Sequence, residues 1–253
     1  MQDKYMLPLM PISVVLTKAR PEFCLQTNHI NPNFKFEITK AILMLRRVKV
    51  LSTYKLRLEN ELAKRDASYG MRTFSCRPFT LDAGLKTFTY NNIFSGNSTI
   101  PDYCCIGMVR STSYSGSWDT SPYNFEHFGL EEISIGFDQY RFSYEPQYTN
   151  NNEIDYAECY NNLFEGAGSK SNNGLSITMN MFTNGWAIYT FHFNREESLN
   201  CDLWNNKIVG SARLTVRFNA NVDNPALTIL VYSEENQMLK VTSKREVIRT
   251  YNI

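Results

Sequence analysis

Apolar and polar residues alternate with a period of two along most of the chain. In the range 213–218, for example, Leu214, Val216 and Phe218 alternate with two arginines and a threonine. Successive side chains of a β-strand point to opposite faces of a sheet, so this alternation indicates a strand with one buried face. Repeated strands of this kind are typical of antiparallel sheets packed on one side.

The same pattern marks many strands and leaves room for few helices. The predicted strands are 34–39 continuing through Ile42–Val50, Met71–Phe79, Lys86–Tyr90, Tyr103–Val109, Ile133–Phe137, Trp186–Phe193, Ala212–Phe218, Ala226–Tyr232 and Met238–Thr242. Because the strands are numerous and closely spaced, the sequence predicts an all-β fold, most economically a jelly-roll β-sandwich with two short helices in loops. The Asn-rich segments Tyr148–Glu153 and Gly166–Gly174 are predicted to be loops within that domain.

Two segments depart from the alternation and are predicted to be helices that cover sheet edges. The first is Ser52–Asp66, with Ser52 as its N-cap. The second is Ile154–Phe164. Each carries apolar or aromatic residues at four-residue steps, which predicts one face in contact with the core. These residues are Tyr54, Leu58 and Leu62 in the first helix, and Tyr156, Tyr160 and Phe164 in the second. Glu61 is spaced to pair with Arg57 and Arg65.

The charge distribution limits the classes of partner. The 253 residues have a net charge of +1, which argues against a chain that neutralises nucleic-acid phosphates over its whole surface. Residues 40–77 are nevertheless basic, and residues 114–165 are acidic. These two patches either steer association or are simply solvated faces that differ in sign. No apolar run approaches the ~20 residues of a membrane span, and the N-terminal residues make a poor signal peptide.

The six cysteines do not form a metal-binding or redox motif. They are Cys24, Cys76, Cys104, Cys105, Cys159 and Cys201, and none lies in a CxxC pair. A domain of this size does not need disulfides, so we expect free, mostly buried thiols in a reducing compartment. In a strand, the neighbours Cys104 and Cys105 would point to opposite faces. The single sequon at Asn97–Thr99 is weak evidence for secretion.

The sequence offers no constellation for catalysis. His29, His127 and His192 are isolated, and His192 is expected to be a structural residue within its strand. Adjacent acids such as Glu131 and Glu132 are expected to point different ways, unlike a glycosidase pair. Nucleophile-elbow, phosphate-loop and dinucleotide motifs are missing from the sequence. We therefore assign no catalytic, cofactor-binding or metal-binding residue, and expect a protein that is not an enzyme.

Several short motifs nevertheless occur in a shared order. They include Phe79–Gly84 (FTLDAG), Asn92–Gly96 (NIFSG), Val109 through Tyr114 to Gly116, and Ser121–Phe125 (SPYNF) followed by His127 and Phe128. Further along come Tyr160–Gly166, Gly185–Phe193 (GWAIYTFHF), Gly210–Phe218 (GSARLTVRF), Thr228–Glu234 (TILVYSE) and Arg245–Tyr251 (REVIRTY). Taken together over residues 79–251, they resemble the double jelly-roll major capsid proteins of Polinton/Maverick elements and adintoviruses. Small departures are Ser121 in place of Asn, His192 in place of an acidic residue, and Arg249 near the terminal Tyr251.

The likeness extends towards the N-terminus. Pro11–Leu25 resembles the family's stretch between its two jelly rolls, and Phe36–Val50 with the following helix resembles the opening of the second roll. The resemblance implies that residues 1–30 are a remnant of, or linker from, a first jelly roll, and that residues 31–253 form a single jelly roll. Family members usually carry both rolls in one chain, so the family's trimer, with two rolls per chain, does not transfer directly.

Two functional hypotheses follow, with a weaker third. The resemblance implies a structural protein that assembles into a viral or virus-like shell, located in the virion after intracellular assembly. Its partners would be copies of itself, a chain supplying the first roll and a minor capsid protein. Lys240, Lys244, Arg245 and Arg249 could also reach a partner or packaged DNA, or could be ordinary solvated residues. The alternative is a jelly-roll module that binds a carbohydrate or peptide in an aromatic pocket. An enzyme on the same fold is the third.

Overall fold

A computed structural model describes residues 5–29, 32–94, 99–148, 154–166, 175–193, 208–223 and 226–250. The elements run in chain order α1 (Pro21–Cys24), α2 (Ser52–Lys64), β1 (Ala67–Leu81), β2 (Thr87–Asn91), β3 (Tyr103–Arg110), α3 (Ser111–Ser115), β4 (Leu130–Phe137) and β5 (Tyr140–Tyr144). They continue with β6 (Gln147–Tyr148), β7 (Ile154–Asp155), α4 (Ala157–Gly166), α5 (Met179–Thr183), β8 (Ile188–His192), β9 (Arg213–Phe218), β10 (Leu227–Val241) and β11 (Val247–Thr250).

The strand order defines a jelly roll. One sheet has the order β1-β10-β3-β8, with β11 added beside β10, and the other has the order β2-β9-β4-β5. The first of these eight strands pairs with the last, the second with the seventh, the third with the sixth, and the fourth with the fifth, all antiparallel. A hairpin of eight strands wrapped in this way is a two-sheet jelly roll, so the predicted fold class is confirmed.

The core lies between the two sheets, and it is formed by the apolar side chains of the alternating strands. Leu214, Val216 and Phe218 are buried, whereas Arg213 and Arg217 are exposed, as the alternation predicts. From the opposite sheet, Ile106 and Ile229 enter the same core cluster. Cys104 belongs to this core while its neighbour Cys105 faces outward and is half-buried, which confirms the prediction of opposite faces.

Strands β1 and β10 are longer than the sequence pattern predicts. They pair over 15 positions, from Ala67 opposite Val241 to Leu81 opposite Leu227. The pairing of β10 with β3 ends at Glu234, so the rest of β1 and β10 extends past β3 as a ribbon. The segment Met238–Thr242, predicted as a separate strand, is largely the end of β10.

The two predicted helices exist but differ in detail. Helix α2 begins at Ser52, and its N-cap position is Leu51 without a side-chain hydrogen bond, so the assignment of Ser52 as N-cap was wrong. Helix α4 begins at Ala157, because Asp155 accepts a hydrogen bond from the Ala157 amide and ends β7 there. It packs on the edge strand β8, as expected of a helix that covers a sheet edge. Most of the two Asn-rich loops lies outside the described residues.

Glycine at position 107 is required by close packing. Phe125 lies across β3, and a Cβ atom at Gly107 would come within 2.7 Å of its ring. The Phe125 amide donates to the Gly185 carbonyl, and the Ala187 amide donates to the Phe125 carbonyl. The motif Ser121–Phe125 therefore ties the loop before β4 to the strand at the sheet edge.

Candidate assembly surface

The N-terminal segment is attached to the jelly roll beside the loop that follows α3. The Thr27 amide donates to the carbonyl of Trp118 at 2.7 Å. Phe23 packs edge-to-face on Tyr123 with ring centroids 5.8 Å apart, and Phe34 packs on Trp118 at 6.1 Å. Aromatic pairs at these distances are attractive beyond their burial. These contacts fix the chain at one end of the sandwich before it continues toward α2.

Residues 37–51, here called the strap, make a continuous exposed segment. They contain no helix or strand, and each of them is exposed. Their large apolar side chains are between 50% and 89% exposed: Ile38, Ile42, Leu43, Met44, Leu45, Val48, Val50 and Leu51. The prediction of strands at 34–39 and Ile42–Val50 was therefore wrong for this chain alone. A strand needs a neighbour for its backbone groups, and no described residue pairs with the strap.

Helix α2 anchors the other end of the strap. Leu62 is buried against Leu7 and Val241, at the far end of the β1–β10 ribbon. Tyr54 is exposed and Leu58 only partly covered, so the predicted apolar face of this helix is buried mainly through Leu62. Glu61 pairs with Lys64 and Arg65. Leu58 and Leu62 also line a cavity of about 440 Å³ between the helix and β1.

The strap is basic as well as apolar. Its cationic residues are Lys40, Arg46, Arg47 and Lys49. Within the described ranges, none of the four pairs with a carboxylate. Contiguous exposed apolar surface of this extent, bordered by charge, is unusual for a monomer and commonly marks a protein interaction site.

Of the C-terminal cations, Arg245 is already used within the chain. It pairs with Glu59 of α2, and its side chain is 15% exposed. The exposed Lys244 lies beside it in the turn between β10 and β11, while Arg249 lies on β11 and is also exposed. Arg245 is therefore not available to contact a partner or DNA, unlike what the sequence suggested for all four C-terminal basic residues.

Part of the acidic segment is neutralised on the outer face of the second sheet. The register between β4 and β9 shifts between Leu130 and Glu132, which marks a β-bulge. As a result, Glu131 and Glu132 both contact Arg217, at 3.0 and 3.5 Å. The expectation that these adjacent acids point different ways was wrong, because a bulge breaks the strict alternation. Arg141 and Lys86 complete the network, so the two carboxylates have a structural role.

His127 is the centre of a buried polar contact rather than a catalytic group. Its Nε2 lies 3.0 Å from the Phe182 carbonyl, which can only accept, so Nε2 carries the proton. Nδ1 then accepts from the Tyr189 hydroxyl at 2.6 Å. The ring also stacks on Tyr156 with centroids 3.8 Å apart. Burial lowers the pKa of His127 to about 4, with the Phe182 carbonyl acting in the opposite direction. The neutral ring joins the loop before β4 to α5 and β8.

The other two histidines lie in different surroundings. His29 is exposed and packs on Phe34, whereas His192 lies at the end of β8 against Tyr103 at 5.0 Å. The structural interpretation of His192 agrees with this position. Among the described residues, no group of three His, Cys, Asp or Glu side chains could hold a metal ion.

The cysteines are free but less uniformly buried than predicted. Cys104 and Cys159 are buried, Cys105 is half-buried, and Cys24 and Cys76 are exposed. The prediction of free thiols is confirmed for these five, whereas Cys201 lies outside the described residues. Burial raises the pKa of the Cys105 and Cys159 thiols to about 12, so both remain protonated at neutral pH. They therefore lack the thiolate of a reactive cysteine.

Within the described ranges, no helix combines the length and the apolar character needed to cross a bilayer.

Comparison with known proteins gives a relative in sequence and neighbours in fold. No family model matches the chain. A Caenorhabditis elegans protein, described only as uncharacterized, is 26% identical over 234 residues, which cover 90% of this chain and 55% of that protein. The chain thus spans about half the length of the curated relative it matches.

The structural neighbours include viral capsid proteins. The VP54 protein of PBCV-1, fitted into a cryo-electron-microscopy reconstruction of the virophage Sputnik, is 12% identical with a TM-score of 0.44, covering 81% of this chain and 55% of that chain. The mavirus major capsid protein is 11% identical with a TM-score of 0.37, covering 74% of this chain and 41% of that chain.

Proposed function

We propose that this chain is a structural protein of capsid type, which assembles with copies of itself into a viral or virus-like shell. The strap is the observation that carries the proposal. Its apolar side chains are exposed in the single chain, and their burial against a neighbour would yield about 25 cal/mol for each Å² of apolar surface removed from water. A jelly roll with such an exposed apolar segment is expected to associate with another protein surface and not to remain a monomer.

Residues in the motifs that resemble the capsid family support a structural role. Phe125 packs on Gly107, His127 bonds to Phe182 and Tyr189, and these contacts hold loops in place. Phe182 and Tyr189, the two partners of His127, belong to the main core cluster. The motif likeness to the Polinton/Maverick and adintovirus capsid proteins is therefore a likeness in architecture, and we extend it to origin and virion location as part of the proposal.

We further propose that residues 1–30 derive from a preceding jelly roll and that residues 31–253 form one roll, whose described strands begin at Ala67. A separate chain would then supply the first roll, and a minor capsid protein would be a further partner. The curated relative has 45% of its length outside the match, which is room for another domain. Lys244 and Arg249 are the exposed C-terminal cations that packaged DNA could contact.

The test is the mass of the purified full chain in solution, combined with electron microscopy. We expect oligomers whose population grows with concentration, and particles or sheets at high concentration, with about 800 Å² or more buried per partner. A chain that stays monomeric at high concentration and gives no particles would contradict the proposal. Saturable binding of a glycan or peptide by that monomer would instead favour the binding-module alternative.

A further inference from the structure

We propose that α2 is a releasable anchor for the strap, and that the ion pair between Glu59 and Arg245 is the latch that keeps it on the β1–β10 ribbon. Opening of the latch would free the helix together with the strap that precedes it. The latch is a property of the single chain, whereas the use of the freed segment in assembly rests on the function proposed above. Three features lead to this inference: the small contact of α2, the position of the pair, and the conformation of Arg245.

Helix α2 has little contact with the jelly roll. Of its 13 residues, Leu62 alone is buried, and it packs against Leu7 and Val241. Leu58 and Leu62 border the cavity of about 440 Å³ between the helix and β1, so the two surfaces are not closely packed there. The N-cap residue makes no side-chain hydrogen bond, and isolated helices of this length are marginal in water. The attachment of α2 therefore depends on each of the few contacts that it makes.

The ion pair supplies a second point of attachment. Nη2 of Arg245 donates to Oε1 of Glu59 at 2.5 Å. Glu59 lies on α2, whereas Arg245 lies in the turn between β10 and β11. The bond thus ties the helix to the tip of the ribbon. Breaking it would leave the burial of Leu62 as the main contact between the helix and the ribbon.

Arg245 has a backbone conformation that is unusual for arginine. Its φ of 66° lies in the left-handed region, where glycine and asparagine are much more common. The Arg245 amide donates to the Thr242 carbonyl, and the Thr242 amide donates to the Glu246 carbonyl. Hairpins closed by such a turn and a left-handed residue normally have glycine at that position. Glycine would relieve the backbone strain here, but it would not provide the cation that meets Glu59. Strain of this kind is often stored at functional positions.

The guanidinium of Arg245 is also incompletely satisfied. Its side chain is only 15% exposed, and Nη1 is buried without a hydrogen-bond partner among the described residues. A buried donor without a partner is destabilising relative to the same donor in water. Release of α2 would remove Glu59 from this guanidinium and give the group access to water. The closed state is therefore favoured only modestly over the open one, which is the condition for a helix that can be released.

The chain on either side of α2 would allow the helix to move. Arg65 and Asp66 connect it to β1, and both are exposed. The strap that precedes it is exposed throughout residues 37–51. Release of α2 would extend the free segment from residues 37–51 to residues 37–66, so the segment would reach further toward a neighbouring molecule. Because the Glu59 side chain is 52% exposed, dissolved salt screens the pair, and we expect release to increase with ionic strength.

The experiment compares Glu59→Gln with Glu61→Gln in the full chain, using hydrogen exchange measured by mass spectrometry. Both variants remove one carboxylate from the same exposed helix, but Glu61 pairs with Lys64 and Arg65 and not with the ribbon. We expect the amides of residues 52–64 to exchange at least about fivefold faster in Glu59→Gln, because loss of a charge-assisted hydrogen bond favours the open helix. The control Glu61→Gln should stay within about twofold of the unaltered chain.

Two further measurements examine the two sides of the latch. Raising the NaCl concentration from about 0.05 M to about 0.5 M should speed exchange in α2 of the unaltered chain by about threefold, and should have no such effect in Glu59→Gln. The variant Arg245→Gly removes the cation and relieves the strained turn. It should speed exchange in residues 52–64 without speeding it in residues 238–250, which contain the turn.

The outcomes separate a latch from a merely structural pair. Unchanged exchange in Glu59→Gln would overturn the inference, and so would equal acceleration in Glu61→Gln. Faster exchange across residues 238–250 in Arg245→Gly would show that Arg245 supports the turn, and would overturn it as well. Because exchange in α2 is measured on the dilute single chain, a protein that never assembles but behaves as expected here would contradict only the proposed function.

Discussion

The buried ring of His127 makes the free energy of unfolding of the jelly roll depend on pH. The folded state lowers the pKa of this histidine from 6.5 to about 4, chiefly because burial penalises the charged form. At about 1.4 kcal/mol per pKa unit, the shift corresponds to roughly 3 kcal/mol of unfolding free energy. Because domains of this kind are stable by only about 5–15 kcal/mol, this is a large share.

The sign follows from proton uptake. Between pH 6.5 and about 4 the unfolded state binds a proton at His127 that the folded state excludes. Stability therefore falls as the pH decreases through this window, is fully present above 6.5, and levels off below about 4 as far as this residue is concerned. Protonation would also place a proton on Nδ1, which now accepts from the Tyr189 hydroxyl.

The perturbation is His127→Gln, which removes the titrating ring. Urea unfolding, followed by circular dichroism at one protein concentration and at several pH values from 4 to 8, gives the free energy of unfolding for each chain. We expect the variant to be less stable at pH 8, and the difference from the unaltered chain to shrink by roughly 3 kcal/mol as the pH falls to 4. The control is His29→Gln at an exposed position, whose profile should follow that of the unaltered chain. Parallel profiles for the His127 variant and the unaltered chain would refute a buried neutral His127.

Two further predictions concern packing and thiol reactivity. We expect Gly107→Ala to lower the unfolding free energy by about 1–3 kcal/mol in urea titrations, because the new methyl group meets the ring of Phe125 at 2.7 Å. Gly136→Ala is the matched strand control, since its nearest neighbour would lie at 3.7 Å, and an equal loss in both variants would contradict the packing argument. In the folded chain we expect iodoacetamide, followed by peptide mass mapping, to modify the exposed Cys76 and spare Cys104, whose pKa is raised well above its usual range by burial. Equal labelling of the two thiols would show that Cys104 is accessible.

The sequence predicted most of the paired strands, missed β5 and β11, and predicted a strand at 34–50 that has no partner strand among the described residues. Period-two patterning identified the buried face of β9 because Leu214 and Val216 pack between the sheets in this chain. The same patterning at Ile42–Val50 predicted a strand, although no neighbour is present in the described residues to pair with it. A side-chain pattern records which face a segment can bury, but pairing is a property of the assembled set of strands.

Local irregularities were also beyond the reach of the pattern. The bulge at β4 shifts the register by one residue, and this brings Glu131 and Glu132 together on Arg217. The residue types around Glu131 do not indicate this shift in register. The His127 contact was missed for a related reason, since Phe182 and Tyr189 lie 55 and 62 residues further along the chain. The place of His127 just after the SPYNF motif, in a segment that resembles a known family, was the one signal in the sequence that set this histidine apart.

The first and last strands of the roll pair with each other, although they lie far apart in the sequence. The two halves of the central ladder, β1 and β10, are separated by nearly the whole length of the roll, and β10 also lies between β1 and β3. Residue 241 must therefore emerge from the ribosome before β10 can complete its pairing with β1 in the first sheet. Contacts of such high sequence separation give a large contact order, for which folding times of milliseconds to seconds are typical. During that interval β1 lacks its partner β10, and its unpaired edge is exposed to mispairing with other chains.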